Sequence, residues 1–188
     1  MLSTPWLAAF ERSVLKEELD RLEDTLLAFE NWRKVEQTPN YRVVNIQEIV
    51  NREIQRLSDL SSVDFTVTLS DDLTFDLDSV LFGIIVSNAL RNAVESTNEI
   101  TYREKAPIVV SAGITNKCFW LSIIDDGVGL PSDHDVLYKS RYTTKPGNRG
   151  LGLAIIGKAI HSLKGDWELK KSKLGGAEFY FELPIKRL

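Results

Sequence analysis

The stretch SVLFGIIVSNALRNAVES, residues 79–96, has the apolar periodicity of a helix but carries two asparagines. At about 100° per residue, Leu81, Ile85, Asn88 and Asn92 fall on one narrow stripe. Two amides therefore lie in line with side chains that should face a core. A buried amide without a hydrogen-bond partner costs about 1–3 kcal/mol. Either backbone groups satisfy these amides inside a core, or both amides contact a polar ligand.

The composition is that of one globular domain with a helical appendage. The chain has 188 residues, 43% of them hydrophobic, and a net charge of −4, which gives no electrostatic reason to expect nucleic-acid binding. The single cysteine fits a reducing compartment. No apolar run approaches the ~18 residues of a membrane span, and the first residues lack the pattern of a signal peptide. We therefore expect a cytoplasmic chain without nucleic-acid or membrane contacts.

Residues 3–36 are predicted to form one long helix. Its apolar residues step by four and three positions, as in a coiled-coil seam. The seam consists of Leu15, Leu19, Leu22, Leu26 and Phe29. Because charged residues fill the other faces, the pattern favours a coiled-coil or bundle helix with a partner over a helix lying on its own domain. Pro39 ends this helix and divides the chain into two units, 1–38 and 39–188.

Short helices and strands follow the boundary. Asn45 and Glu48 predict a capped helix over 46–58. Further helices are predicted at 78–97 and 150–163. Strands are predicted at 63–69, 73–77, 107–115 and 118–125, and in a closing hairpin, DWELKKS and AEFYFELP, around Gly175-Gly176. The expected fold class is α+β: a two-layer α/β sandwich whose mixed, mostly antiparallel sheet carries helices on one face, preceded by the long N-terminal helix.

The motif DDGVGL follows the predicted strand 118–125. Asp125 can accept a hydrogen bond from an exocyclic amine such as that of adenine. Gly127 and Gly129 permit positive φ and let a ligand approach the backbone closely. The alternative is a simple turn, because Asp-Gly is a common turn pair.

The segment TTKPGNRGLGLAI, residues 143–155, leads from a flexible loop into a helix that begins near Gly150. A helix start offers unpaired N–H groups and a positive dipole end, which suit phosphates. Lys145 and Arg149 add positive charge for a polyphosphate. The alternative is a glycine-rich loop whose basic residues are merely solvated.

Four elements, in this order, resemble the motifs of the catalytic and ATP-binding domain of sensor histidine kinases, within the Bergerat-fold (GHKL) ATPase superfamily. NALRNA resembles the N box, DDGVG the G1 box, YKSRYTTK the F box and GLGLAI the G2 box. GGAEFYFELP resembles the usual closing strand. The resemblance covers about residues 41–186; each box alone is weak, but four in order are specific.

This resemblance implies ATP as the nucleotide and Mg²⁺ as its metal ion. Asn92 would ligate Mg²⁺, since an amide oxygen is a hard ligand, and Asn88 would contact the phosphate and metal region. Asp125 would bind the adenine amino group, with Gly127 and Gly129 shaping the pocket. The lid, 131–149, is expected to move and to be ordered by the γ-phosphate. The implied lid anchors are Tyr142, Thr143, Thr144 and Lys145, and the backbone N–H donors are Gly150, Leu151 and Gly152.

The chain also departs from the family pattern. Asn148 holds the first position of the G2 box, where glycine is usual, and Glu95 stands where many kinases have a basic residue. Tyr138 and Tyr142 stand where phenylalanines are common. Hydrolytic branches of the superfamily carry a glutamate base near the position of Asn88. An amide cannot take a proton from water, so transfer to a protein acceptor is favoured over hydrolysis.

The resemblance implies a phosphorylated histidine on the first helix of a dimerisation hairpin, which this chain does not contain. His134 and His161 are its only histidines, and neither lies in such a helix. The segment ELDRLEDTLLAFENWR resembles the second helix of the hairpin. The implied partners are a histidine-bearing helix, a second copy bound through the N-terminal helix in the full protein, and a response regulator. Alone, the chain is expected to be inactive; the alternatives are an anti-sigma-type serine kinase and a non-catalytic nucleotide-dependent switch.

Overall fold

A computed structural model describes residues 14–58, 63–130, 151–173 and 175–185. In these ranges the helices are α1 (Val14–Val35), α2 (Ile46–Ser58), α3 (Ser79–Asn98) and α4 (Leu151–Ser162). The strands are β1 (Arg42–Asn45), β2 (Phe65–Thr68), β3 (Thr74–Leu77), β4 (Ile108–Ile114), β5 (Cys118–Ile124), β6 (Asp166–Lys171) and β7 (Ala177–Pro184).

The main sheet has the strand order β2-β4-β5-β7-β6, and β1 pairs with β3 in a separate two-stranded ribbon. The β2–β4 pair is parallel and the other pairs are antiparallel. Buried side chains of α2, α3 and α4 form one cluster with the inward-facing residues of the strands. The predicted α+β fold, with a mixed, mostly antiparallel sheet and helices on one face, is therefore confirmed.

Helix α3 lies at the centre of the core. Its Phe82 is fully buried and contacts the rings of Phe119 on β5 and Phe181 on β7, with centroids 5.9 and 6.2 Å away. Leu81 and Ile85 are also buried, so the apolar half of the stripe faces the core as its periodicity predicts.

Two side chains set where the helices begin. The amide N–H of Glu48 donates to Asn45 Oδ1 at 3.0 Å, which confirms the predicted cap of α2. Asp78 caps α3 by accepting from the amides of Val80 and Leu81 at 2.8 and 3.0 Å. This second cap places the start of α3 at Ser79.

Most predicted elements lie within two residues of their observed bounds, and the 46–58 helix matches fully. The ribbon strand β1 was not predicted, because its four residues pair with β3, about 30 residues along the chain. The predicted helix 3–36 is observed from Val14 to Val35, and its first residues lie outside the described ranges. No helix in the described ranges is both long and apolar enough to cross a bilayer.

Helix α1 has two different faces. One face packs on the domain: Val35 is buried, Ala28 contacts the core, and the Ser162 hydroxyl donates to the Val35 carbonyl at 3.1 Å. Lys158 of α4 lies 5.1 Å from the ring centroid of Trp32. The seam residues are 42–65% exposed on the other face. The helix thus does lie on its own domain, while the partner of its seam remains a prediction.

Candidate functional site

Asn88 and Asn92 lie at the edge of the core, where α3 contacts α4. Asn88 and Asn92 are half-buried and line a cavity of about 80 Å³, together with Leu151 and Gly152 of α4. Asn88 Nδ2 donates to the Ile84 carbonyl at 2.8 Å, so the backbone satisfies the amide nitrogen of Asn88. A Cβ on Gly152 would lie 3.4 Å from Asn88 Oδ1. The structure therefore brings together the N-box amides and the start of the G2 helix.

Helix α1 forms another wall of this cavity, which the sequence did not predict. Asp24 and Asn31 of α1 line it, as do Arg91 and Glu95 of α3. Arg91 Nη1 lies 3.0 Å from Asp24 Oδ1. Asp24 and Arg91 are 67 positions apart, and no local pattern could have joined them.

Asp125 lies buried just after β5, and hydrogen bonds fix its carboxylate. Its Oδ1 accepts from the amides of Gly127 at 2.8 Å and Ala177 at 3.3 Å, and the Ser96 hydroxyl is a further partner. Burial raises the pKa of Asp125 above its ordinary value, although these hydrogen bonds oppose the shift. The carboxylate is therefore held in one orientation at a site where its charge is poorly solvated.

Helix α3 joins the two halves of the site. Asn88, Asn92 and Ser96 follow one another at four-residue intervals, and Ser96 contacts Asp125. Each interval rises about 6 Å along the helix axis. The amides and the buried carboxylate therefore occupy successive positions along one rigid element.

The glycines around Asp125 are required by contacts within the protein. A Cβ on Gly127 would lie 2.5 Å from the Ser96 carbonyl carbon, and one on Gly176 would lie 2.2 Å from the Asp125 carbonyl oxygen. Gly129 has φ +75°, as the motif predicted. The DDGVG segment is therefore a tightly packed support for Asp125 rather than an exposed turn.

Asp126 has a different environment from its neighbour, and the motif alone gave it no role. The guanidinium of Arg103 forms an ion pair with its carboxylate and donates to its backbone carbonyl at 2.8 Å. The amide of Ala106 donates to the carboxylate at 3.2 Å. Hydrogen bonding from Arg103 lowers the pKa of Asp126. Arg103 is 23 positions away, so only the aspartate doublet itself could have drawn attention to this pair.

Several predicted site residues lie outside the described ranges. They are Tyr142, Thr143, Thr144, Lys145 and Gly150, together with the departures Tyr138 and Asn148, the basic Arg149 and the histidine His134. His161 is described: it is exposed in the last turn of α4, about 14 Å along the helix from Gly152. It therefore lies at the opposite end of α4 from the amides.

The described residues contain no group of three His, Cys, Asp or Glu side chains that could hold a metal ion. Mg²⁺ bound to a nucleotide takes most of its ligands from phosphates and water and needs one or two protein oxygens. The amide oxygen of Asn92, at the cavity, fits that requirement.

Residues 77–187 match the family model described as histidine kinase-, DNA gyrase B- and HSP90-like ATPase. The chain belongs to this family. The matched range contains α3, Asp125 and the start of α4, so the observed site lies inside it. Membership makes this part of the chain an ATP-binding domain and confirms the resemblance that the motifs carry.

Curated relatives include named sensor kinases. The autoinducer 2 sensor kinase/phosphatase LuxQ of Vibrio harveyi is 32% identical over 116 residues, 58% of this chain and 14% of its own length. The sensor histidine kinase FlgS of Helicobacter pylori is 29% identical over 123 residues, 65% of this chain and 31% of its own. The chain thus spans less than a third of the length of these relatives.

Solved histidine kinase structures share the fold. The mycobacterial sensor histidine kinase MprB has a TM-score of 0.63 at 24% identity and covers 77% of this chain and 97% of its own. Acinetobacter baumannii AdeS has a TM-score of 0.74 at 16% identity, over 100% of this chain and 88% of its own. The second likeness includes α1 as well as the ATP-binding domain.

Proposed function

We propose that the chain is the catalytic, ATP-binding part of a two-component sensor histidine kinase. It would transfer the γ-phosphoryl group of Mg-ATP to a histidine on a dimerisation helix outside this chain. The observation that carries the proposal is the row Asn88, Asn92 and Ser96 on α3, with Asp125 at its end. One helix then positions a phosphate-contacting end and an adenine-contacting end.

Each end of this row offers the chemistry that its part of ATP requires. Asp125 is buried and fixed, so its carboxylate can accept a hydrogen bond from the adenine amine with little reorganisation. Asn88 and Asn92 lie beside the first turn of α4, where unpaired N–H groups favour phosphates. When bound through Asn92, Mg²⁺ would neutralise charge on the phosphate oxygens.

The same geometry favours phosphoryl transfer to a protein over hydrolysis. Phosphoryl transfer depends mainly on positioning and charge neutralisation. The amides at the phosphate end cannot deprotonate water. Glu95 lines the same cavity, but it is about 10 Å further along the helix axis from Asn88. Its backbone position is therefore next to Ser96, at the Asp125 end of the row.

The proposed partners complete the reaction. A dimerisation helix supplies the histidine, a second copy binds through the seam of α1 in the full protein, and a response regulator accepts the phosphoryl group afterwards. The setting is cytoplasmic, and Lys145, which is outside the described residues, would add positive charge at the phosphates. The alternatives, a serine kinase of anti-sigma type or a non-catalytic switch, lack a specific observation in their favour.

A transfer assay with γ-labelled Mg-ATP tests the proposal. The purified chain alone should leave the label on ATP, and adding a separate histidine-bearing dimerisation hairpin should move it to that hairpin as an acid-labile phosphate. Acid-stable labelling of a serine would favour the anti-sigma alternative. Release of inorganic phosphate at the same rate without a hairpin would contradict transfer and indicate a hydrolase.

Asn92→Ala tests the metal assignment. We expect its affinity for a non-hydrolysable ATP analogue to be the same with Mg²⁺ and with EDTA, as measured by calorimetry. Asn98→Ala is the matched control on the same helix, because Asn98 accepts from Lys105 Nζ at 3.0 Å, away from the cavity. Mg²⁺-dependent binding that survives in Asn92→Ala would remove Asn92 as the essential ligand.

A further inference from the structure

The face of the main sheet opposite the helices carries a pair of aromatic side chains. Trp120 of β5 and Tyr180 of β7 stack with centroids 6.5 Å apart and an interplanar angle of 19°. Gly113 of β4 is opposite Trp120 in register, and a Cβ there would lie 3.1 Å from the indole. The absence of a side chain at 113 lets the indole lie against the sheet.

Carboxylates lie on the β6 and β7 side of this aromatic pair. Residues on one face alternate along a strand, and the register places the acidic residues of β6 and β7 on the same face as Tyr180. They are Asp166, Glu168, Glu178 and Glu182. Lys170 is the basic residue among these positions of the two strands. Burial, followed by the hydrogen bond to Glu182, raises the pKa of Tyr180 to about 12, in agreement with a negative environment.

One half of this face already binds a cation. Lys170 Nζ lies 5.8 Å from the ring centroid of Tyr180, 3.5 Å from Glu178 Oε2 and 3.6 Å from Glu168 Oε2. The ammonium group thus has an aromatic face beneath it and a carboxylate on either side. The arrangement shows which side chains this surface uses to hold positive charge.

The other half combines an aromatic ring with one carboxylate. Glu182 is opposite Trp120 in register, and its Oε2 accepts from the Tyr180 hydroxyl at 3.1 Å and from Cys118 Sγ at 3.7 Å. Among the described residues, no cation lies over the Trp120 indole as Lys170 lies over Tyr180. Trp is the stronger of the two rings as a cation–π partner.

We propose that Trp120 and Glu182 form a docking site for an arginine of a basic protein segment that lies across the open face of the sheet. A guanidinium can stack on the indole while it donates to the carboxylate, a combination that suits arginine better than lysine. The surrounding carboxylates favour further positive charge on the same segment. The site is on the opposite face of the sheet from the nucleotide cavity.

A peptide titration tests the proposal. The probe is acetyl-Gly-Arg-Gly-Arg-Gly-Arg-Gly-amide, and its matched control carries uncharged citrulline in place of each arginine. The ¹⁵N-labelled chain should show a saturable shift of the Trp120 indole N–H signal with the arginine peptide. We expect Trp120→Ala to weaken binding about 10-fold or more, and Glu182→Gln by about 3- to 10-fold.

Trp32→Ala is the matched control, since Trp32 is a tryptophan that is 36% exposed and holds Lys158 on a different surface. Its affinity for the arginine peptide should equal that of the parent chain. Equal binding of the citrulline peptide, or unchanged affinity in both Trp120→Ala and Glu182→Gln, would overturn the proposal. Glu182→Gln keeps the test decisive if Trp120→Ala does not fold.

Discussion

Asp125 and Asp126 are neighbours whose pKa values shift in opposite directions. Their substitutions by asparagine should therefore have opposite effects on the stability of the folded chain. Asp125→Asn should weaken ATP binding about 10- to 150-fold, because a charge-assisted hydrogen bond to adenine is worth roughly 1.5–3 kcal/mol. Burial raises the pKa of Asp125, so the folded state disfavours its charged form above that pKa. The free protein should consequently be as stable as the parent, or more stable. Calorimetry with ATP and urea unfolding at pH 7 measure the two effects.

Asp126→Asn is the control for that variant. In the parent chain, Arg103 lowers the pKa of Asp126. The ionised form of Asp126 therefore stabilises the folded state above the usual aspartate pKa of about 3.9. The variant should have a lower urea midpoint at pH 7, and the difference should vanish as the pH falls through the lowered pKa. A loss of stability in Asp125→Asn as large as that in Asp126→Asn would contradict the opposite pKa shifts, and an unchanged affinity for ATP would contradict a ligand role for Asp125.

Gly127 and Gly83 differ in the space available for an added methyl group, so their alanine variants should differ in stability. In Gly127→Ala the new methyl group would lie 2.1 Å from Ser96 Oγ, and we expect a loss of about 1–3 kcal/mol from overpacking. Gly83 lies inside α3, where a new methyl group would have its nearest neighbouring atom 3.8 Å away, so Gly83→Ala should stabilise by about 0.5–1 kcal/mol. Thermal and urea unfolding measure both. A stable Gly127→Ala variant would show that the loop can move away from Ser96.

Helix α1 presents adjacent residues to different surroundings, which allows its packing on the domain to be tested. Ala28 contacts the core, whereas Phe29 is 65% exposed. Ala28→Glu should detach α1, because a carboxylate without a partner is costly to bury. Hydrogen exchange of α1 amides should then be faster, while α3 remains protected. At a dilution at which the chain is a monomer, Phe29→Glu should leave exchange in α1 unchanged, and equal acceleration in both variants would contradict the two-faced assignment.

Elements determined by local contacts could be predicted from the sequence, whereas elements that depend on distant contacts could not. The helix 46–58 is determined by a cap at Asn45 and by its own periodicity, and its bounds were predicted correctly. Strand β1 has only four residues and depends on pairing with β3, so no pattern within it was sufficient. For the candidate site, the motifs indicated Asn88, Asn92 and Asp125, and the structure places the two amides at one cavity and Asp125 beside Ser96 on the same helix. The motifs did not indicate the partners Arg103 and Ser96, since contacts between distant positions leave no periodic signal.

The molecule as a whole presents three surfaces that face different ways. The helical side holds the cavity lined by Asn88 and Asn92, and the open side of the sheet carries Trp120 and Tyr180. The seam of α1 is on neither, because α1 packs on α3 and α4 through its other face. The two faces of α1 are therefore independent: a partner can bind to the seam without displacing α1 from the domain.

This independence predicts a concentration-dependent dimer. The five seam residues are 42–65% exposed, and burying them against a second copy would remove a contiguous apolar stripe from water. Because the seam has only two heptads, the dimer should be weak and should dissociate on dilution. Sedimentation velocity over a range of concentrations measures it, and the unfolding temperature should rise with concentration.

Leu22→Glu places a charge in the middle of the seam, where Leu22 is 55% exposed in the single chain. Each copy loses a buried leucine, worth about 1.5–3 kcal/mol, so dimerisation should weaken at least 10-fold. Since Leu22 faces away from the cavity, the affinity for ATP and the stability at high dilution should both match those of the parent. A dimer that persists in Leu22→Glu but is lost in Ala28→Glu would place the interface on the other face of α1, and the packing of α1 on its own domain would then compete with dimerisation.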